Sequence, residues 1–180
     1  TTTAYITRNH GYMVYDTLFS VDVDSNPKPQ MVETWETSDD GLRWTFRLRE
    51  GLKFHDGAPV TSEDVIASLE RWMKRDLTGG RLAAVLEEMR PVDERQFEVV
   101  LNKPFGPMLD ALGKPSSLVP FIMPKRIVEA AGDQNISEYI GSGPYRCVAA
   151  AFRPGVKVVY EKFEDYGPRK EDVSGLAGGK

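Results

Sequence analysis

The sequence has few of the residues that most chemical sites need. Cys147 is the only cysteine, which excludes an intrachain disulfide and a cysteine cluster for zinc or iron–sulfur. His10 and His55 are the only histidines, which excludes a histidine-rich metal site within the chain. No apolar run approaches the roughly 20 residues of a membrane span. The opening residues, TTTAYITRNH, lack the basic start and apolar core of a signal peptide.

Basic residues are not in excess. The net charge of −4 gives no footprint for nucleic acid and no polybasic patch for a membrane surface. Apolar residues make up 41% and charged residues 28% of the 180 positions, which is typical of a globular chain with a hydrophobic core. We therefore expect no nucleic-acid partner, no membrane span and no cofactor.

The clearest strand is Leu42–Arg49, LRWTFRLR, in which apolar and polar residues alternate. The turn residues Ser38–Gly41 precede it, so Thr34–Thr37 is predicted to be its hairpin partner. Phe97, Val99 and Leu101 alternate in the same way and predict another strand. The stretches 145–150 and 156–163 are predicted to form a strand pair.

Four helices are predicted from caps and apolar spacing. The clearest begins after Thr61, an N-cap whose capping box Asp64 completes, and its apolar residues recur at helical spacing. A second is expected at Leu82–Met89, ended by Pro91. Shorter helices are expected at Pro107–Leu112 and after Pro124. Helices and hairpins alternate without a strict βαβ rhythm, so the fold class is mixed α and β.

The three tryptophans could form a stacking platform, but their positions favour one shared hydrophobic core. Trp44 lies on the apolar face of the predicted strand, Trp72 lies in the apolar stripe of the Thr61 helix, and Trp35 lies in the hairpin partner. We predict that all three belong to this core.

Catalytic motifs are absent from the sequence. It has no G-x-S-x-G, H-E-x-x-H, Walker A or G-x-G-x-x-G pattern. In Gly141–Pro144 the proline lacks the N–H that a phosphate cradle needs. His55-Asp56 could be a catalytic dyad, but a turn with His55 at its edge is favoured. Cys147 could be a reactive thiol, but a small buried apolar residue is favoured.

An ordered set of segments resembles the family 5 extracellular solute-binding proteins, which supply peptides and nickel to ABC importers. The segments run in family order along the chain. They are Met13–Phe19 (MVYDTLF), Pro29–Trp35 (PQMVETW), Ser38–Gly41 (SDDG), Trp44–Leu48 (WTFRL), Arg49–Gly57 (REGLKFHDG), Pro59–Ser68 (PVTSEDVIAS) and Gly141–Tyr145 (GSGPY).

The resemblance implies a periplasmic-binding-protein-like α/β lobe with an inserted α+β accessory subdomain. Residues 1–24 and 113–180 would form the N-terminal portion of the first cleft lobe, and residues 25–112 the accessory subdomain. Family members are more than twice as long, so the resemblance implies an N-terminal fragment that ends inside a lobe.

The resemblance also implies a site and partners. The loop before an apolar helix at Met13–Phe19 would line the ligand cleft, together with the turn after the Pro107–Leu112 helix and the GSGPY loop. The implied ligand-binding residues are Thr7, Arg8, Asn9, His10, Gly11, Lys114, Ser116, Ser117 and Ser142. Arg8 and Lys114 could meet a carboxylate. No catalytic residue and no metal ligand is implied.

The expected function is that of a monomeric, exported periplasmic protein that captures a small solute, such as a short peptide, and delivers it to an ABC permease in the membrane. One alternative is the extracellular ligand-binding module of a sensor, since a fold does not fix a function. A hydrolase that uses His55-Asp56 or Cys147 is a weaker alternative.

Overall fold

The computed structural model describes residues 5–116, 118–153 and 155–179. The helices in these ranges are α1 (Tyr5–Val14), α2 (Ser62–Met73), α3 (Leu77–Ala83), α4 (Met108–Leu112) and α5 (Lys125–Ala131), with a 3₁₀ turn at Ala149–Ala151. The strands are β1 (Phe19–Val21), β2 (Pro27–Pro29), β3 (Val32–Thr37), β4 (Arg43–Leu48), β5 (Leu86–Pro91), β6 (Gln96–Leu101), β7 (Tyr145–Cys147) and β8 (Tyr160–Lys162). None of the described helices is long and apolar enough to cross a membrane.

An antiparallel four-stranded sheet in the order β3-β4-β6-β5 is the largest sheet among the described residues. The predicted hairpin of β3 and β4 is confirmed, with Trp35 opposite Phe46. Its turn closes through a bond from the Ser38 amide to the Arg43 carbonyl, and Gly41 takes the positive φ of 69° that the turn requires. The predicted strand at Phe97–Leu101 is confirmed as β6.

The predicted helix at Leu82–Met89 is wrong. Its second half, residues 86–89, belongs to β5, which pairs with β6 along its length, and only its first two residues lie in a helix, at the end of α3. The preceding helix, α3, begins earlier than predicted, because the carboxylate of Asp76 accepts bonds from the amides of Thr78 and Gly79 at 2.8 and 3.0 Å. Sheet pairing therefore outweighs the local helix preference of the leucines and glutamates in this stretch.

The predicted start of α2 is confirmed as a capping box. The amide of Asp64 donates to the Thr61 hydroxyl at 3.4 Å, and the amide of Thr61 donates to the Asp64 carboxylate at 2.8 Å. The two bonds satisfy backbone donors that the first turn of a helix leaves unpaired. The helices predicted at Pro107–Leu112 and after Pro124 are confirmed as α4 and α5.

We expect Thr61→Ala to lower the free energy of unfolding by about 1 kcal/mol, because the first turn of α2 loses its side-chain acceptor. Thr61→Ser keeps the hydroxyl and should stay within a few tenths of a kcal/mol of the unchanged chain. Urea denaturation followed by circular dichroism measures both. Equal losses in the two variants would contradict a capping role for the hydroxyl.

One hydrophobic cluster joins the sheet to α2, α4 and the β1 region. The prediction of a shared tryptophan core holds for Trp72, which is 5% exposed. It holds in part for Trp44, which is half-buried and stacks on Phe46. It is wrong for Trp35, which is 37% exposed on the edge strand β3, although its ring meets that of Phe19 edge-to-face at 5.2 Å.

The strand pair predicted at 145–150 and 156–163 exists but is shorter. β7 and β8 pair over three residues each, from Tyr145 opposite Lys162 to Cys147 opposite Tyr160. The chain then leaves the sheet in the turn at Ala149–Ala151. This small sheet packs beside α1.

Candidate ligand-binding site

A cavity of about 290 Å³ opens beside α1. Its walls come from α1, from the C-terminal half of α2 and from two segments, residues 118–123 and 135–139. The lining residues are Thr7, Arg8, His10, Gly11, Tyr15, Ser68, Arg71, Trp72, Arg75, Leu118, Val119, Phe121, Met123, Asn135, Ile136 and Tyr139.

Hydrogen bonds fix the segment 118–123 that forms the cavity floor. The indole N–H of Trp72 donates to the Leu118 carbonyl at 2.6 Å. The Ser68 hydroxyl accepts from the amide of Met123 at 2.9 Å. On the other side, Thr17 forms an antiparallel bridge with Phe121. These bonds tie the floor both to α2 and to the chain that leaves α1, so the cavity is held open by the fold itself.

The wall formed by α1 depends on a glycine. A β-carbon at Gly11 would lie 2.2 Å from Cε2 of Phe121, closer than any real contact. The ring of Phe121 fills that space and meets the rings of Tyr12 and Tyr15, with centroid distances of 5.1 and 5.7 Å. Gly11 therefore permits a close approach of α1 to the cavity floor.

The prediction that residues 7–11 form a loop before a helix at Met13–Phe19 is wrong. They lie inside α1, which ends at Val14. The following residues cannot continue the helix, because the Asp16 carbonyl accepts from the amide of Ile122 at 3.0 Å and Thr17 pairs with Phe121. Tertiary pairing draws this part of the chain into an extended path.

Four of the nine residues predicted to bind ligand line the cavity, namely Thr7, Arg8, His10 and Gly11. Asn9 and Ser116 are exposed and lie outside its lining, and Ser117 lies outside the described residues. Ser142 is buried, at 5% exposure, and is not part of the lining.

Lys114 is held by the protein itself. Its Nζ lies 2.7 Å from Oδ2 of Asp76, the N-cap of α3, and both side chains are largely buried. Lys114 therefore pairs with the α3 terminus and lies outside the cavity lining, and its contact with a ligand carboxylate stays a prediction.

Sequence reasoning missed the arginines of the cavity, Arg71 and Arg75. Arg71 is 7% exposed and donates to the carbonyls of Gly132 and Gln134, the second at 2.6 Å. Arg75 donates to the Asp133 carbonyl at 2.6 Å. The only local signal for their role was that the two arginines lie one helical turn apart beside Trp72. The carbonyls that they bind lie about 60 residues further along the chain.

His10 lines both this cavity and a second one of about 620 Å³, as do Thr7 and Tyr139. Its Nδ1 lies 2.7 Å from the hydroxyl of Tyr160, and its ring meets Tyr139 edge-on at 5.3 Å. Burial lowers the pKa of His10, which favours the neutral ring at neutral pH. Cys147 lines the second cavity, and burial raises the pKa of its thiol. A thiol with a raised pKa is a poor nucleophile.

His55 and Asp56 do not form a dyad. The ring of His55 contacts backbone, with Nε2 2.9 Å from the Gly143 carbonyl and Nδ1 accepting from the Gly141 amide at 3.3 Å. The Asp56 carboxylate binds Arg126 at 2.8 Å. The predicted turn is present, with Gly57 at a φ of 88°, but His55 is buried and not at its edge. The histidine instead fastens this turn to the GSGPY loop.

A model of the bacterial extracellular solute-binding proteins, family 5, middle region, matches residues 26–176. The chain belongs to this family. The family 5 resemblance seen in the sequence, and the mixed α/β fold, are confirmed.

Two relatives of this family 5 chain are named as binding proteins. The "Probable peptide ABC transporter periplasmic-binding protein y4tO" of Sinorhizobium fredii is 40% identical over 99% of this chain and 33% of its own length. The "Di/tripeptide-binding protein 2" of Pseudomonas aeruginosa is 31% identical over 82% of this chain and 31% of its own length. The chain therefore spans about a third of the length of these relatives.

Solved structures agree with the fold. The PBP AgaA of A. tumefacien R10, in complex with agropinic acid, superposes with a TM-score of 0.76 at 29% identity. The match covers 91% of this chain and 33% of that one. The family 5 chain thus has the fold of about one third of a binding protein.

Proposed function

We propose that this chain is the N-terminal part of the periplasmic substrate-binding component of an ABC importer. It captures a short peptide or a similar small solute and delivers it unchanged, as a monomer, to a permease in the membrane. The observation that carries the proposal is the preformed cavity between α1, α2 and residues 118–139 in a family 5 chain. Relatives named for peptide transport or peptide binding support the choice of cargo.

We propose further that residues 1–24 and 113–180 contribute to the first cleft lobe and that residues 25–112 form an accessory subdomain. The position of the four-stranded sheet supports this division, since β3 to β6 all fall within residues 25–112. The cavity draws on both parts. Its α1 and 118–139 walls belong to the lobe, and its α2 wall belongs to the subdomain.

The proposal predicts that binding needs the other lobe. Binding proteins of this kind close over a ligand, and contacts made only in the closed state supply much of the affinity. We expect a chain of the length of its relatives to bind di- and tripeptides in isothermal titration calorimetry. The 180-residue chain should bind the same peptides roughly 100-fold or more weakly, a loss of about 2.7 kcal/mol.

A matched pair of tyrosines tests the location of the site in the longer protein. Tyr139 is 43% exposed and lines the cavity, whereas Tyr145 is 37% exposed and does not. Tyr139→Ala should weaken peptide binding about tenfold, and Tyr145→Ala should leave it unchanged. The absence of peptide binding in the longer protein, or peptide cleavage detected by mass spectrometry, would contradict the proposed function.

A further inference from the structure

The charged side chains that line the 290 Å³ cavity beside α1, here called the α1 cavity, are all positive. Arg8, Arg71 and Arg75 line it, and none of its described lining residues is an aspartate or a glutamate. The chain as a whole carries a net charge of −4, so the positive character is local. A concave site with fixed cations attracts anions, because its low-dielectric walls strengthen the field within it.

The backbone carbonyls around the cavity do not cancel this charge. Arg71 and Arg75 donate to carbonyls of residues 132–134, just after α5 ends. The C-terminus of a helix carries at most about half a negative elementary charge. Two guanidinium groups at that end therefore leave a clear positive excess. The acid that interacts with Arg71 is Asp133, which lines the neighbouring groove but not this cavity, whereas Arg71 and Arg75 line both.

Donors remain for a ligand. Both bonds recorded for Arg75 among the described residues go through Nη2, at 2.6 and 3.5 Å, so its Nε and Nη1 are not used in them. Arg8 stands on the opposite wall with its guanidinium 4.7 Å from the ring centre of Tyr5, a contact that orients the group without neutralising it. Planar guanidinium groups suit carboxylates because they can bind both oxygens.

The remaining lining is mostly apolar. Trp72, Leu118, Val119, Phe121, Met123 and Ile136 supply a surface for a hydrocarbon or aromatic group. The volume of about 290 Å³ lies at the small end of ligand pockets, which run from roughly 300 to 1,000 Å³.

We infer that the α1 cavity selects small solutes that carry a carboxylate beside an apolar group, with Arg75 and Arg8 as the carboxylate-binding side chains. This inference rests on the proposed function, since it names the ligand class of the same site. A dipeptide with a free C-terminus and an apolar side chain meets the description, and a cationic amine does not.

The test uses three probes that share the leucine side chain and carry charges of about −1, 0 and +1 at neutral pH: N-acetyl-leucine, N-acetyl-leucinamide and leucinamide. Each is titrated at millimolar concentration into the ¹⁵N-labelled 180-residue chain, and the tryptophan indole N–H resonances are followed. Trp72 lines the cavity, whereas Trp35 and Trp44 do not and serve as internal controls. N-acetyl-leucine should shift the Trp72 resonance alone and saturably, and the two amides should not.

Variants assign the carboxylate contact. Arg75→Gln and Arg8→Gln should each weaken N-acetyl-leucine binding about tenfold. Lys74→Gln removes the same charge one residue away, at an exposed position outside the cavity, and should change the affinity less than twofold. Unchanged Trp35 and Trp44 resonances show that each variant is folded, and Arg8→Gln leaves the bonds at the end of α5 intact.

The outcomes separate this inference from the proposed function. Equal shifts by the acid and the neutral amide, or no shift by any probe, overturn the carboxylate preference. Neither result affects peptide capture by the longer protein, which calorimetry measures independently. Loss of peptide capture in the longer protein with N-acetyl-leucine still bound would overturn the transport proposal and leave the carboxylate preference standing.

Discussion

Gly141→Ala is expected to lower the free energy of unfolding by about 3 kcal/mol, a large share of a typical domain stability of about 5–15 kcal/mol. A β-carbon at this position would lie 2.1 Å from the carbonyl oxygen of Val14 and 2.6 Å from Cδ1 of Tyr15. The first of these atoms is backbone at the end of α1, so it cannot move aside without displacing the helix. The expected loss comes from this overlap.

Two other glycines provide the control. Gly106 and Gly167 have no heavy atom within 4 Å of an added β-carbon. Gly106→Ala and Gly167→Ala should therefore stay within about 0.5 kcal/mol of the unchanged chain. Urea denaturation of the three variants gives the comparison. If Gly141→Ala were as stable as the two controls, the GSGPY loop would not pack against α1 as described.

The same variant should also disturb the cavity. The GSGPY loop holds the end of α1 through the amide of Gly143, which donates to the Val14 carbonyl at 2.9 Å. Tyr15, the other neighbour of Gly141, lines the cavity. The loop thus acts on the cavity through α1. A ligand contact of the Ser142 hydroxyl, which lies outside the cavity lining, stays a prediction.

Sequence reasoning succeeded where the cause of the structure is local. The capping box of Thr61 and Asp64 needs only residues three apart, and it marks the start of α2. The alternation in Leu42–Arg49 and the turn before it likewise give the β3–β4 hairpin. Such patterns predict an element because the forces that form it act within a few residues.

Sequence reasoning failed where pairing with another segment decides the structure. Leu86–Pro91 has a helix-like composition, but pairing with β6 makes it a strand. The chain after Val14 was predicted to be helical, but its bonds to residues 121 and 122 make it extended. The partners at residues 121 and 122 lie more than 100 positions along the chain and leave no local pattern. β6, in contrast, begins five positions after β5 ends, so this pairing is a local hairpin that the helix-like composition concealed.

The site shows the same division. The resemblance to family 5 placed the polar residues of α1 near a ligand, and four of them line the cavity. Arg71 and Arg75 were missed because a charged residue beside a buried stripe usually faces solvent. The ion pair of Lys114 was not foreseen because its partner, Asp76, lies 38 residues earlier in the chain.

His55 should make the stability of the protein depend on pH. The Gly143 carbonyl can only accept, so Nε2 of His55 carries a proton, and Nδ1 accepts from the Gly141 amide. The neutral ring satisfies both contacts. Protonation of Nδ1 would place its new N–H against the N–H of Gly141. It would also place a positive charge beside the ring of Phe163, which meets His55 edge-on at 5.0 Å.

The surroundings of His55 lower its pKa. Burial is the largest cause, and the cation of Arg146 acts in the same direction. The bond to Gly143 and the charge of Asp56 oppose them. Below the usual histidine pKa of about 6.5, the unfolded chain therefore binds more protons than the folded one, and stability falls as the pH falls. Between pH 7.5 and 5.5 the loss is up to about 1.4 kcal/mol for one histidine.

Two variants separate the histidines, which are the only two in the chain. His55→Ala should cost roughly 2–4 kcal/mol at pH 7.5, because it leaves a buried amide and a buried carbonyl unpaired, and it should remove the pH dependence due to His55. His10→Gln should retain the pH dependence of stability that is due to His55. His10 itself adds a loss of stability at low pH, because its pKa is also lowered. Carboxylates whose pKa is lowered, such as Asp56, also stabilise the folded state, but this stabilisation is lost only nearer pH 4, below the range of pH 5.5 to 7.5. Urea denaturation midpoints at pH 7.5 and 5.5 measure this pH dependence for the unchanged chain and for both variants. An unchanged pH slope in His55→Ala would mean that the ring does not hold the GSGPY loop in its neutral form.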